Sequence, residues 1–121
     1  MKVAALVLAA ALAAAPVKVA LTASGHAPKV NTRWHYTIRV TRAGKPVAAR
    51  LTEVIVDPIG GKHPVDYGTT SKKIANWPFK GVFRDFLTFP AAARGVPVTW
   101  RITIKVGTTT RTVNYKLTPR A

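Results

Sequence analysis

Three observations predict an all-β sandwich of about seven strands, immunoglobulin-like or fibronectin-type, preceded by a signal peptide. Short runs of alternating apolar and polar residues recur along the chain, turn signals rich in Gly and Pro separate them, and after the first fifteen residues no segment repeats its apolar positions at helical spacing. About 105 residues remain beyond that leader, the size of one domain that buries roughly two-thirds of its unfolded surface. Short strands and turns in a chain of this size give the sandwich.

The leader is read from Met1 and Lys2, which are followed by an uncharged run from Val3 to Ala15 composed almost wholly of Ala, Leu and Val. A charged start, an apolar run of roughly 7 to 15 residues and a small-residue exit describe a secretory signal peptide, and the run falls short of the roughly 20 residues that a spanning helix needs. Residues 1–15 are expected to be the leader and 16–121 the domain. Proline directly after a scissile bond is disfavoured, so Pro16 shifts the expected cut towards Ala11-Leu12-Ala13. A later cut after Ala23-Ser24-Gly25 would leave His26 as the amino terminus. It would also discard a first strand, because Val17, Val19, Leu21 and Ala23 alternate with Lys18, Ala20 and Thr22.

Trp34, Tyr36, Ile38 and Val40 alternate with His35, Thr37, Arg39 and Thr41, giving a strand with one buried and one polar face. Ala43-Gly44-Lys45-Pro46 turns the chain. From Val47 to Val56 a second strand follows, whose alternation breaks between Arg50 and Val54, so a bulge or a change of face is expected there. Asp57-Pro58 with Gly60-Gly61 closes it. Lys62 to Phe79 is the least regular stretch, with a short strand expected from Val65 to Thr69 ahead of Ile74, Trp77 and Phe79. Val82 to Phe89 reads as a strand in which Phe83, Leu87 and Phe89 share a phase with Asp85, which is expected either outside the core or against a basic partner. Pro90 ends that strand, and Ala91 to Pro97 connects the sheets.

The last two strands alternate without error. Val98, Trp100, Ile102, Ile104 and Val106 point one way and Thr99, Arg101, Thr103 and Lys105 the other, and after Gly107-Thr108 the pattern resumes with Val113, Tyr115 and Leu117 inward. A two-residue loop with Gly first suits a primed hairpin turn. It sets Trp100 opposite Tyr115, Ile102 opposite Val113, Val98 opposite Leu117, Arg101 opposite Asn114 and Thr103 opposite Thr112. A slip of one residue would turn every apolar side chain to water.

The run from Trp34 to Thr41, followed by Gly44-Lys45-Pro46-Val47-Ala48, resembles the Gly-Lys-Pro-Val hairpin of small exported bacterial Ig-like modules, including the YtkA-like group. The segment from Phe79 to Asp85, with Phe89-Pro90 and Arg94-Gly95, is similar to part of short exported actinobacterial proteins with no assigned activity. The resemblance covers most of 16–121 and rests on turn and core positions. It implies a fold and an export route, and it carries over no catalytic residue.

Composition narrows the function. The chain holds no cysteine, so the domain must be held by its core without disulfides, and both thiol chemistry and a thioether lipid anchor are excluded. The C-terminus has no apolar stretch that could span a membrane, so a secreted or cell-envelope-associated protein is expected. Nineteen Lys and Arg against four acids give a net charge of +15, and removing Lys2 with the leader lowers it by one. Such a field attracts polyanions: anionic cell-wall polymers, anionic lipid surfaces, or an acidic envelope protein. Export argues against nucleic acid. The same composition would also keep an exported protein soluble.

Catalytic groups are few. Ser24 and Ser71 stand in no Gly-x-Ser-x-Gly elbow. Glu53, Asp57, Asp66 and Asp85 fall on separate elements, and two of them meeting as a glycosidase pair would need a cleft that a small sandwich rarely builds. A non-enzymatic module without a cofactor is expected. His26, His35 and His63 have no metal-ligand spacing and read as surface residues; only a start at His26 would favour the alternative, a small copper-binding or carrier sandwich of the envelope. Trp34, Tyr36, Trp100 and Tyr115 lie on faces expected to be buried, which leaves Trp77 as the one aromatic placed to meet a ligand. Arg101, Lys105 and Lys116 share the outer face of the last hairpin, and Arg39 lies on the outer face of its own strand. Arg39, Arg101, Lys105, Lys116 and Trp77 are the candidate binding residues.

Overall fold

The computed structural model describes residues 15–121. The expected leader and its cleavage site at Ala11-Leu12-Ala13 lie outside the described residues, apart from Ala15. Nine strands follow in chain order: β1 (Val17–Ala23), β2 (Trp34–Arg42), β3 (Lys45–Pro46), β4 (Ala48–Val56), β5 (Lys62–Pro64), β6 (Trp77–Lys80), β7 (Val82–Leu87), β8 (Val98–Val106) and β9 (Thr109–Leu117), with one 3-10 turn at Ala91–Ala93. In the smaller sheet β1 lies beside β2, whose other edge takes β3 and β7. In the larger sheet the order is β9-β8-β4, with β5 and β6 along the far edge of β4. All these pairings are antiparallel. The arrangement of β1-β2-β7 against β9-β8-β4 is the immunoglobulin-like or fibronectin-type sandwich that the strand pattern predicts.

Alternation explains which side chains form the core. Trp34, Tyr36, Ile38 and Val40 of β2 and Phe83 and Leu87 of β7 face Leu51 of β4, Trp100, Ile102 and Ile104 of β8 and Leu117 of β9, and all are buried. Each large apolar side chain removed from water contributes roughly 1.5–3 kcal/mol, and this core holds a chain without disulfides. The β8–β9 register agrees at every expected pair, from Val98 opposite Leu117 to Thr103 opposite Thr112. Gly107 takes φ = 57° at the first loop position, as a Gly-first primed turn requires. Strand β1 is present over all seven residues and pairs with β2 from Val17 opposite Arg42 to Ala23 opposite Tyr36.

Two glycines redirect the chain, and the second carries it from the larger sheet to the smaller. At Gly25, with φ = 75°, it leaves the smaller sheet, and the segment from His26 to Val30 then runs beside the C-terminus. The Thr118 N–H donates to the His26 carbonyl at 2.9 Å, and the Val30 N–H donates to the Arg120 carbonyl at 2.8 Å. At Gly81, between β6 and β7, φ is 73°, and a Cβ there would lie 2.6 Å from the Cβ of Pro46. Any side chain at this crossing would be forced into Pro46.

Three expectations need correction. Strand β4 has no bulge or change of face: Ala49, Leu51, Glu53 and Ile55 all point inward, and pairing with β8 is continuous from Arg50 opposite Lys105 to Val56 opposite Thr99. The apparent break arises because the inward Glu53 is polar and the outward Val54 is apolar. No strand spans Val65 to Thr69. Residues 65–74 fold back on themselves instead, with Asp66 bridged to Lys73 and the Tyr67 N–H donating to the Lys72 carbonyl at 2.8 Å. Asp85 is buried and meets no cation; its Oδ2 accepts the Gly68 N–H at 3.1 Å.

Candidate polyanion-binding face

The outer face of the larger sheet is built by the residues that alternate with the core. Reading across the strands in register, Lys62, Val56, Thr99 and Lys116 form one row, and Pro64, Val54, Arg101 and Asn114 the next. A row of Thr52, Thr103 and Thr112 follows. The fourth row holds Pro78, Arg50, Lys105 and Thr110, and Lys80 lies beyond it beside Ala48. Six cations therefore share this face with no carboxylate. The expected trio is brought onto one surface but not into one cluster. Arg101 and Lys116 sit at one end, where the Arg101 Nε donates to Asn114 Oδ1 at 3.2 Å. Lys105 is four residues along β8 from Arg101, about 13 Å at strand rise.

At that second cluster β4 sets Arg50 directly opposite Lys105. Like charges facing across a sheet destabilise it, on the order of 0.2–1 kcal/mol. Among the described residues neither cation has an acidic partner. Arg50 Nη1 donates only to the Asn76 carbonyl, at 3.1 Å. Arg50 and Lys105 are both exposed and in register, beside a polar threonine row, although the guanidinium of Arg50 reaches towards β6 rather than β8. Arg50, Lys62 and Lys80 escape sequence reasoning because β4, β5 and β6 have no partner until the sheet order is known.

The remaining candidates lie elsewhere. Arg39 is on the outer face of the smaller sheet, beside Ala20 of β1 and Val82 of β7, so it cannot join the trio. Trp77 is half-buried at the core margin, and one face of its indole is covered by Tyr67 at a centroid distance of 4.6 Å. It is no open stacking platform. His26 is exposed but fixed: its ring stacks on Tyr115 at 4.3 Å, and its Nδ1 lies 2.7 Å from the Lys116 carbonyl. Tyr115, expected in the core, is half-buried under it and donates its O–H to the Gly25 carbonyl at 2.7 Å.

The four acids are all engaged or enclosed. Glu53 is buried between the sheets, where Tyr36 Oη donates to its Oε2 at 2.6 Å and Trp100 Nε1 to its Oε1 at 2.8 Å. Burial pushes its carboxyl up to about 7, against the pull of these two donors, and the nearby Asp85 charge adds to the rise. Burial and the Glu53 charge drive the Tyr36 hydroxyl far above the ordinary tyrosine range. Asp57 organises the turn after β4. Its Oδ1 accepts the Ile59 and Gly61 N–H groups at 3.0 and 2.8 Å, and its Oδ2 lies 2.8 Å from His63 Nε2. The hydrogen bond with His63, followed by that from Gly61, holds its carboxyl below the usual carboxylate range. Asp66 pairs with Lys73.

A cleft of about 530 Å³ opens beside these loops, lined by Ile55, Val65, Leu87, Phe89 and Val98 together with Asp57 and His63. The Asp57–His63 pair has no serine beside it in that lining. Among the described residues no cluster of three His, Cys, Asp or Glu could hold a metal ion, and no helix is long and apolar enough to cross a membrane. No family model, curated protein or solved structure matches the chain.

Proposed function

We propose that this is a non-enzymatic, exported Ig-like module that binds a phosphate-bearing anionic polymer of the cell envelope through the outer face of its larger sheet. The observation that carries the reading is the Arg50–Lys105 pair, opposed across β4 and β8 on a face with six cations and no acid. A bound phosphate would convert that repulsion into two charge-assisted contacts, and the Lys62, Arg101 and Lys116 end would engage the same polymer further along. The leader read in residues 1–15 and the resemblance to exported modules support an envelope setting.

The test is binding of inorganic polyphosphate, followed by anisotropy and titrated with sodium chloride. If each contact releases a counterion as on a single-stranded polyanion, six contacts give a log-log slope of roughly −4, and the three of Arg101, Lys105 and Lys116 contribute about half of it. An Arg101, Lys105 and Lys116 triple Gln variant is expected to bind more weakly and with about half the slope. Equal binding of variant and native protein at every salt concentration would refute the assignment and leave solubility as the role of the charge.

A further inference from the structure

The smaller sheet carries a second carboxylate-free cationic face, pointing the opposite way. Lys18 of β1, Arg39 of β2 and Arg84 of β7 all lie on its outer side: Arg39 is paired with Ala20 and Val82, one alternation from Lys18 and from Arg84 respectively. All three are exposed, and none forms an ion pair among the described residues. Arg33 extends the patch, with its guanidinium 4.6 Å from the centre of the Phe86 ring, and His35 meets the same ring from its edge. Asp85 and Glu53 are turned inward, and Asp57 and Asp66 sit in edge loops. Neither sheet face is therefore neutralised.

Resting on the polymer-binding reading above, we infer that the domain bridges two anionic polymer chains, one on each sheet, and so acts as a cross-linker. Packed sheets stand about 10 Å apart, so with the side chains added the two sets of cationic groups are roughly 20 Å apart. That is about two and a half Debye lengths at physiological salt. Salt screens the two faces from each other at that separation, so a polyanion on one leaves the charge of the other uncompensated, and that face can recruit a second chain. A single continuous cationic stripe would instead be saturated by one chain.

The experiment uses polyphosphate with the native protein and two variants, Lys18→Gln/Arg39→Gln/Arg84→Gln on the smaller sheet and Arg50→Gln/Lys105→Gln/Lys116→Gln on the larger. Binding is followed by anisotropy and cross-linking by light scattering across the molar ratio, with circular dichroism to confirm the fold and sedimentation to confirm a monomer. The native protein is expected to scatter strongly near charge equivalence and to redissolve in excess polymer. Each single-face variant should still bind but lose most of the scattering. Native protein that bound tightly yet never scattered would overturn bridging and leave the binding reading intact; native protein that did not bind would overturn both. Undiminished scattering from either variant, or a dimer in free solution that carried the bridging, would also overturn the two-face assignment.

Discussion

Replacing Glu53 with Gln isolates the most deeply buried carboxyl of the described residues. The native carboxyl accepts the Tyr36 O–H and the Trp100 N–H, and burial raises it from an ordinary value of 4.5 to about 7. An acid whose folded value lies above its unfolded one binds its proton more tightly when folded. Its contribution is fully present below the unfolded value and is lost as pH rises through the folded one. Each pH unit of the window corresponds to about 1.4 kcal/mol, so the native protein is expected to lose roughly 3 kcal/mol between pH 4.5 and pH 7 through this group. For a domain of this size that is a fall in Tm on the order of 10–20 °C.

The amide introduced by Glu53→Gln has no proton to lose. Its carbonyl can still accept from Trp100, and its NH2 group can donate to the Tyr36 oxygen, so its cost from rearranged hydrogen bonds is the same at every pH. The informative quantity is the difference in unfolding free energy between variant and native protein, measured by urea denaturation from about pH 4.5 to about pH 8, because titrating groups not coupled to Glu53 cancel from it and Asp85 is the carboxylate whose charge bears on it. The difference should drift by roughly 3 kcal/mol in favour of the variant as pH rises. Parallel curves would show that Glu53 ionises in the fold as easily as in water, and that the interior reading of its environment is wrong.

Trp100→Ala empties the centre of the core and should destabilise the domain by roughly 3–5 kcal/mol in denaturant titration, whereas Thr103→Ala on the outer face should cost far less; equal shifts would reverse the facing of β8. Gly81→Ala drives a methyl group into Pro46 at a positive φ and should destabilise the domain by well more than the roughly 1–2 kcal/mol of an ordinary left-handed backbone penalty in denaturant titration, while Gly95→Ala, with φ = 77° but open space around it, should show the backbone penalty alone. Arg50→Thr relieves the opposition to Lys105. It is expected to raise stability by a few tenths of a kcal/mol at low salt, an effect that fades as salt is added, while weakening polyphosphate binding.

The fold is legible where alternation runs without error. From Val98 to Leu117 the period of two and a Gly-first loop determine the pairing before any distant strand is considered, and the observed register follows. The interior acids mark where this logic ends. Glu53 shares a phase with Ala49, Leu51 and Ile55, so an inward glutamate restores a regular strand where a bulge is otherwise expected. The available signal is two core aromatics, Tyr36 and Trp100, whose polar tips need an acceptor. Asp85 is in phase with Phe83 and Leu87, but its partner is a backbone N–H at Gly68, which no pattern of side chains encodes. The candidate face is half legible for the same reason. The cations of one hairpin can be sorted by phase, but their confrontation with Arg50 depends on a strand far away in sequence.

The distribution of the acids bears on whether the charge is for solubility or for binding. A solubilising surface works best with both signs interspersed, because mixed charges hydrate the protein without building a one-signed field. Here two of the four carboxylates are withdrawn into the core, and the other two are tied to His63 with its turn and to Lys73. Both sheet faces are left cationic, and one carries a directly opposed pair of like charges. That arrangement lowers the stability of the free protein through self-repulsion, although the same net charge also opposes self-association. It is favourable once a polyanion is bound, because the ligand then supplies the negative charge that the fold withholds.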